Sequence, residues 1–318
     1  MCPITRSVPF ALTPVYAGSG RGAAGRLWVW RFSAIVCTAL SLAACSPKHL
    51  IVQGVSNALA TQSDAPEDDL VLAREASAFY LKLSESLLRE GPDNDRLSES
   101  VASGFTQYAY AFVAFEAERL DARDSRAAQA LRERAARLYL RAQGHALAAL
   151  ERAQPGFRKA LESPRPADWP QLKPAQVGLA YWAAAAWGGY ISLSKDKPDV
   201  VADLPLAVRL AQLAYARDAG FGNGALASLM GTFESVRAGG VPARALQYFD
   251  QAIALGGDNN AGPRVAKAEG VALAQGDRAG FEALLQQAVA IANAHPNLAN
   301  NVMRERALWL LGSADDLF

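Results

Sequence analysis

From Asp64 to the C-terminus, apolar residues recur at helical spacing in segments that stop at glycine or proline, and no alternating β-branched run of strand length interrupts them. That pattern commits the chain to an all-α fold, because a 3.6-residue period gathers the apolar side chains into a stripe that another helix covers. Leu70, Ala73, Ala76, Phe79-Tyr80, Leu83 and Leu87 make the first stripe, in a segment opened by Asp64 and Pro66 and closed by Gly91-Pro92. Asn94 opens a second segment through Tyr108, Phe112 and Phe115, and Asp124 or Ser125 a third that runs to about Ala153. Pro155, Pro164, Pro166, Pro170 and Pro174 then mark residues 154–174 as a loop or short helix that interrupts the array. Shorter helices follow over about 175–193, 200–218, 224–237, 242–255, 263–275, 278–293 and 298–312. Lys197-Pro198, Gly220, Gly239-Gly240, Gly256-Gly257, Gly276 and His295-Pro296 stand between them.

Within these helices a small residue, a larger one four positions on and an alanine three after that recur, as Ala135-Tyr139-Ala142 and Ala245-Phe249-Ala252 and, more loosely, Ala207-Ala211-Ala214 and Phe281-Leu285-Ala288. The small residues let helices nest and the larger one fills the gap. This is the pattern of the second helix of a tetratricopeptide (TPR) unit. The expectation is a TPR-like α-solenoid of stacked antiparallel helix pairs, whose concave surface binds a partner or ligand.

The first 44 residues read differently. Arg21, Arg26 and Arg31 precede the apolar stretch Phe32 to Ala44, a charged region followed by an apolar core of signal-peptide length. The stretch ends in Leu42-Ala43-Ala44-Cys45, which resembles the lipobox of bacterial lipoproteins. Residues 1–44 are expected to be a lipoprotein signal peptide, Cys45 the lipidated residue, 45–65 a polar tether and 66–318 the helical domain. A plain secretory signal with an incidental cysteine, or an N-terminal anchor helix, are the alternatives. The residues before Arg21 do not read as signal and fit a start codon further in. Several acyl chains on Cys45 would make a lasting anchor, where one would not. Ser46, where an aspartate would mark retention at the inner membrane, favours the outer membrane by analogy, with the body in the periplasm.

Charge and cysteine content exclude several functions. The chain has 318 residues, 51% of them hydrophobic and 20% charged, as a globular protein does. The first 44 residues hold Arg6, Arg21, Arg26 and Arg31 and no acid, so the remainder is mildly acidic and carries nothing that draws it to nucleic acid. Of Cys2, Cys37 and Cys45, only Cys45 survives removal of the signal, so no internal disulfide can form and the core alone holds the fold. The most apolar later stretch, Val177 to Leu193, is broken by Gly178, Gly188 and Gly189 and falls short of a membrane span. His49, His145 and His295 lack metal-site spacing, no nucleophile elbow appears, and Gly220, Gly222 and Gly224 are not followed by the Lys-Ser/Thr of a phosphate loop. No catalytic residue, metal or cofactor is expected, and the chain does not read as an enzyme.

The chemistry that remains is aromatic. Tyr108, Tyr110, Phe112 and Phe115 lie on the second helix, and Tyr181, Trp182, Trp187 and Tyr190 on the helix near 175–193. Tyr108, Phe112, Tyr181, Trp182 and Tyr190 are candidates to line a cleft or pore in which tyrosine hydroxyls and an indole N–H meet the polar end of an apolar ligand; ordinary core is the alternative. Asn259-Asn260-Ala261-Gly262-Pro263 is a tight polar connection, read either as a site loop or as a cap for the next helix, with Pro263 in its first turn.

Several phrases in order resemble the TRAP transporter T-component (TatT) family of periplasmic lipoproteins. They are Phe105-Thr106-Gln107-Tyr108-Ala109-Tyr110-Ala111-Phe112-Val113, Tyr181-Trp182, Tyr248-Phe249-Asp250-Gln251-Ala252-Ile253-Ala254-Leu255, Asn260-Ala261-Gly262-Pro263, Asp277-Arg278-Ala279-Gly280-Phe281, and Arg306-Ala307-Leu308-Trp309-Leu310-Leu311 on to Asp315-Asp316-Leu317-Phe318. The resemblance implies cryptic TPR-like repeats, a homotrimer, and a solute-binding P-component of a tripartite ATP-independent periplasmic (TRAP) transporter as partner. It also implies a small apolar or organic-acid ligand in a pore lined by the aromatic helices. The rival reading is a TPR-like lipoprotein scaffold for an envelope complex, without a ligand, and a third is an envelope hydrolase.

Overall fold

The structure, a computed structural model, describes residues 69–318; the proposed signal peptide, Cys45 and the tether lie outside the described residues. Helices dominate the described residues, with no strand among them. The all-α expectation holds.

Helix α1 (Leu70–Glu90) starts later than Asp64-Pro66, because the Asp69 side chain accepts from the Val71 and Leu72 N–H groups and caps it. Asn94 caps α2 (Asp95–Tyr108) through the Leu97 N–H. The helix then widens into a π-helical turn, Ala109–Ala114, before α3 (Phe115–Leu120). Asp124 caps α4 (Ser125–Ala153). The proline-rich stretch holds only α5 (Phe157–Glu162) and two 3-10 turns. It is fastened by Arg209, which donates to the Leu161 carbonyl and, at 2.9 Å, to that of Ser163, with its guanidinium 4.3 Å from the Trp169 ring.

Then come α6 (Val177–Ser192), α7 (Pro198–Val201), α8 (Leu204–Arg217), α9 (Ala225–Val236) and α10 (Pro242–Gly256). The expected 200–218 helix is divided into α7 and α8 because Pro205, in the first turn of α8, cannot donate back to the preceding turn. The 263–275 segment is α11 (Gly262–Lys267), a second π turn (Ala268–Ala272) and a 3-10 turn. The chain ends in α12 (Arg278–Ala294), α13 (Leu298–Gly312) and α14 (Ala314–Leu317).

Packing follows the order of the chain, as short connections require: α1 on α2, α2 on α4, α4 on α6, α6 on α8, α8 on α9, α9 on α10, and α11, α12 and α13 in sequence, with α13 also meeting α1. The small–large–small triplets lie inside. Ala135, Tyr139 and Ala142, and likewise Ala245, Phe249 and Ala252, are buried. So are all members of the two looser triplets. In the first two triplets the large member fits over glycine on a neighbour. A Cβ on Gly189 of α6 would stand 2.7 Å from the Tyr139 ring, and one on Gly231 of α9 would stand 2.9 Å from the Phe249 ring. Each ring therefore fills space that only glycine leaves open.

Candidate functional site: a buried arginine held by two π turns

The aromatic candidates divide between two hydrophobic clusters. Tyr181 and Trp182 pack on the cluster centred on α6 and α8, edge-on at 4.7 Å, and Tyr181 also faces Phe221 at 5.3 Å. The Tyr181 hydroxyl has no hydrogen-bond partner among the described residues, and burial pushes its ionisation up to about 12. Tyr108, Phe112 and Tyr190 belong to the cluster of α2, α4 and the first π turn, with Tyr108 and Phe112 5.6 Å apart. Phe112 also borders a groove of about 240 Å³ between the start of α1, the first π turn and Val302 and Glu305 of α13.

In the Asn259-Asn260 connection, the side chain of Asn260 accepts from the Gly262 N–H at 3.0 Å. The organiser is a residue the sequence reading passed over. Asn300, buried on α13, accepts from the Ala261 N–H at 3.1 Å and donates to the carbonyls of Asn259 (2.9 Å) and His295 (2.8 Å). One amide thereby satisfies three main-chain groups in two connections.

The most unusual chemistry surrounds Arg306 of α13, whose side chain is only 9% exposed. Its Nε and Nη2 donate in parallel to the two carboxylate oxygens of Glu269, at 3.0 and 2.6 Å. Nη2 also lies 3.1 Å from the carboxylate of Glu118. The guanidinium faces the rings of Phe115, Tyr110 and Trp309 at 5.3, 5.6 and 5.9 Å. Its Nη1 is buried without a hydrogen-bond partner among the described residues.

The two π turns create this arrangement. Tyr110 comes from the first and Glu269 from the second. A π turn adds a residue to the helical circuit and so re-aims the side chains around it, which is why such turns gather at functional positions. Burial opposes the charge on Arg306, but Tyr110, Glu269 and Glu118 outweigh it and hold the arginine firmly protonated. Burial, reinforced by Glu269 and Glu118 against the pull of Arg306, raises the ionisation of Tyr110. Burial, with Tyr110 and Glu118, does the same for Tyr139. Both hydroxyls remain donors, and neither has a hydrogen-bond partner among the described residues. Sequence reading missed Arg306 because a lone arginine on an amphipathic helix reads as a solvated face. Its only signal was its place in the terminal phrase Arg306-Ala307-Leu308-Trp309.

No group of His, Cys, Asp and Glu among the described residues could hold a metal ion, and none of the described helices is long and apolar enough to cross a membrane. What the fold and this centre define is an all-helical protein with an interior charge faced by aromatic rings. Comparison with known proteins supplies its family. Residues 66–318 match the model of the TRAP transporter T-component, and the chain belongs to that family. It is also 27% identical to an uncharacterised protein of Treponema pallidum (strain Nichols), over 88% of this chain and 94% of that one. The family is one of accessory transport components and not of enzymes, and it implies a location in the cell envelope and association with other TRAP components.

Proposed function

We propose that this chain is the lipid-anchored periplasmic T-component of a TRAP system, and that it binds the solute-binding P-component and holds a small apolar or organic-acid ligand. The observation that carries this reading is the family match across the whole described domain. The lipobox-like Leu42-Ala43-Ala44-Cys45 supports an anchor at Cys45, and Ser46 favours the outer membrane over the inner. The buried triplets support a TPR-like stack of antiparallel helix pairs. Val71, Leu72 and Phe79 stand exposed on α1, apolar surface of the kind that association covers, whether with the P-component or within a homotrimer. The half-buried aromatics Phe112, Tyr181, Trp182 and Tyr190 support a lined passage, since none is sealed in the core as Phe249 and Phe281 are.

Trp182→Ala separates a transport role from a scaffold. As a lining residue, Trp182 leaves solute uptake sharply reduced and the melting temperature nearly unchanged when it is removed. A loss on the order of 3–5 kcal/mol in chemical unfolding would instead mark it as core and remove it from the passage.

A further inference from the structure

One face of α1, with Ala73, Leu81 and Leu88, is buried against the rest of the fold. A second apolar face, with Leu72, Ala76, Phe79 and Tyr80 at helical spacing, stands open among the described residues: Leu72 is 54% exposed and Phe79 65%. Upstream of the Asp69 cap the sequence supplies a matching face. Ile51, Val55 and Leu59, with the small Gly54 and Ala58 beside them, fall on one side of a helical wheel, and Gln53, Ser56 and Asn57 fall on the other. Ile51 to Leu59 and Leu72 to Tyr80 each span about 12 Å of helix axis. Residues 61–68 join the two, a connection within the range of about 2–8 residues that links antiparallel helices. We propose that residues 51–60 form a helix that lies antiparallel on the open face of α1. Leu59 then sits opposite Leu72, Val55 opposite Ala76, and Ile51 opposite Tyr80. The occupant is this segment and not a second copy or another protein, because its short connection holds it at an effective concentration of about a millimolar, which a free partner does not reach. It covers Leu72 and Phe79 from within the chain and leaves Val71 to association.

The consequence is a short leash, and it rests on the reading of Cys45 as the lipid anchor. With the segment undocked, residues 46–68 would let the helical domain stand up to about 80 Å from the membrane, at about 3.6 Å per residue. With the segment docked, only residues 46–50 remain free, and the reach falls to about 18 Å. The segment thereby sets how far the domain stands from the membrane, and it turns the middle of α1, where Ile51 meets Tyr80, toward it.

The test is amide hydrogen exchange of the full chain in detergent, with no partner added. The amides of residues 51–60 should exchange at least about tenfold more slowly than those of a free peptide of the same sequence. Phe79→Asp should return them to the peptide rate while α4 keeps its protection, which shows that the rest of the fold is intact. Cysteine pairs fix the register. Val55→Cys with Ala76→Cys should form a disulfide within one chain, identified by peptide mass, whereas Asn57→Cys with Ala76→Cys should not. Exchange at the peptide rate, or protection indifferent to Phe79→Asp, overturns the proposal. So does a 55–76 disulfide formed only between chains, which gives the face to a second copy, or protection that arises only when the P-component is added. Affinity for the P-component is a separate measurement, so failure of this docking leaves the transport reading untouched.

Discussion

Glu85 shows how single residues hold the described helices, which contain no cysteine, together. Buried on α1, it binds Arg141, which donates through both Nε and Nη2, and it lies 2.9 Å from Lys82 and 3.0 Å from His145 Nε2. Burial alone would raise its carboxyl, but the hydrogen bonds from Arg141, Lys82 and His145 win and bring it from 4.5 to about 2. A pKa depressed on folding contributes stability above pH 4.5 that disappears as the pH falls toward 2. Glu85→Gln should therefore cost about 2 kcal/mol at neutral pH and flatten the acid limb of a urea-unfolding series. An unchanged limb would show that the cluster adds nothing to stability. Asn300→Ala strands the Ala261 N–H and two carbonyls, and should cost about 2–3 kcal/mol by the same assay. Neither residue announced itself in the sequence. A glutamate or asparagine on a polar helix face looks like any solvated residue until the opposing helix is known.

At the scale of elements, most helix starts were legible because their caps are local chemistry. Asn94, Asp124, Asp277 and Asn297 each accept from an N–H two or three residues into the helix that follows. The break at Leu204 was legible in Pro205 and went unread. The π turns were not legible, since Ala109–Ala114 and Ala268–Ala272 carry ordinary helix-forming residues and the extra residue per turn shows only in the backbone. Helix pairing was foreshadowed by the triplets, whereas the matching glycine on the facing helix was not. Gly189→Ala should clash with the Tyr139 ring and cost about 1–3 kcal/mol in chemical unfolding. Pairing it with Tyr139→Leu should recover part of that loss. Additive costs in the double variant would mean that ring and glycine do not share the contact.

For the whole molecule, the all-helical class and the family were both readable from the chain, the first from periodicity and the second from phrases spread along the helical domain. The candidate site was readable only in part. The five aromatics read as one lining fall into two clusters, because residues close on a helical wheel can face different neighbours along the length of a helix. The charged centre depends on α13 returning to the first π turn, a long-range contact that local pattern does not carry. A transport accessory must meet its partner through this folded surface. The most direct test is the affinity of the purified full chain for the purified solute-binding P-component encoded in the same genome, measured by calorimetry. A saturable complex of micromolar strength or better is the expected result. Absence of binding at concentrations a hundredfold higher, with outer-membrane assembly proteins co-purifying instead, would contradict the assignment.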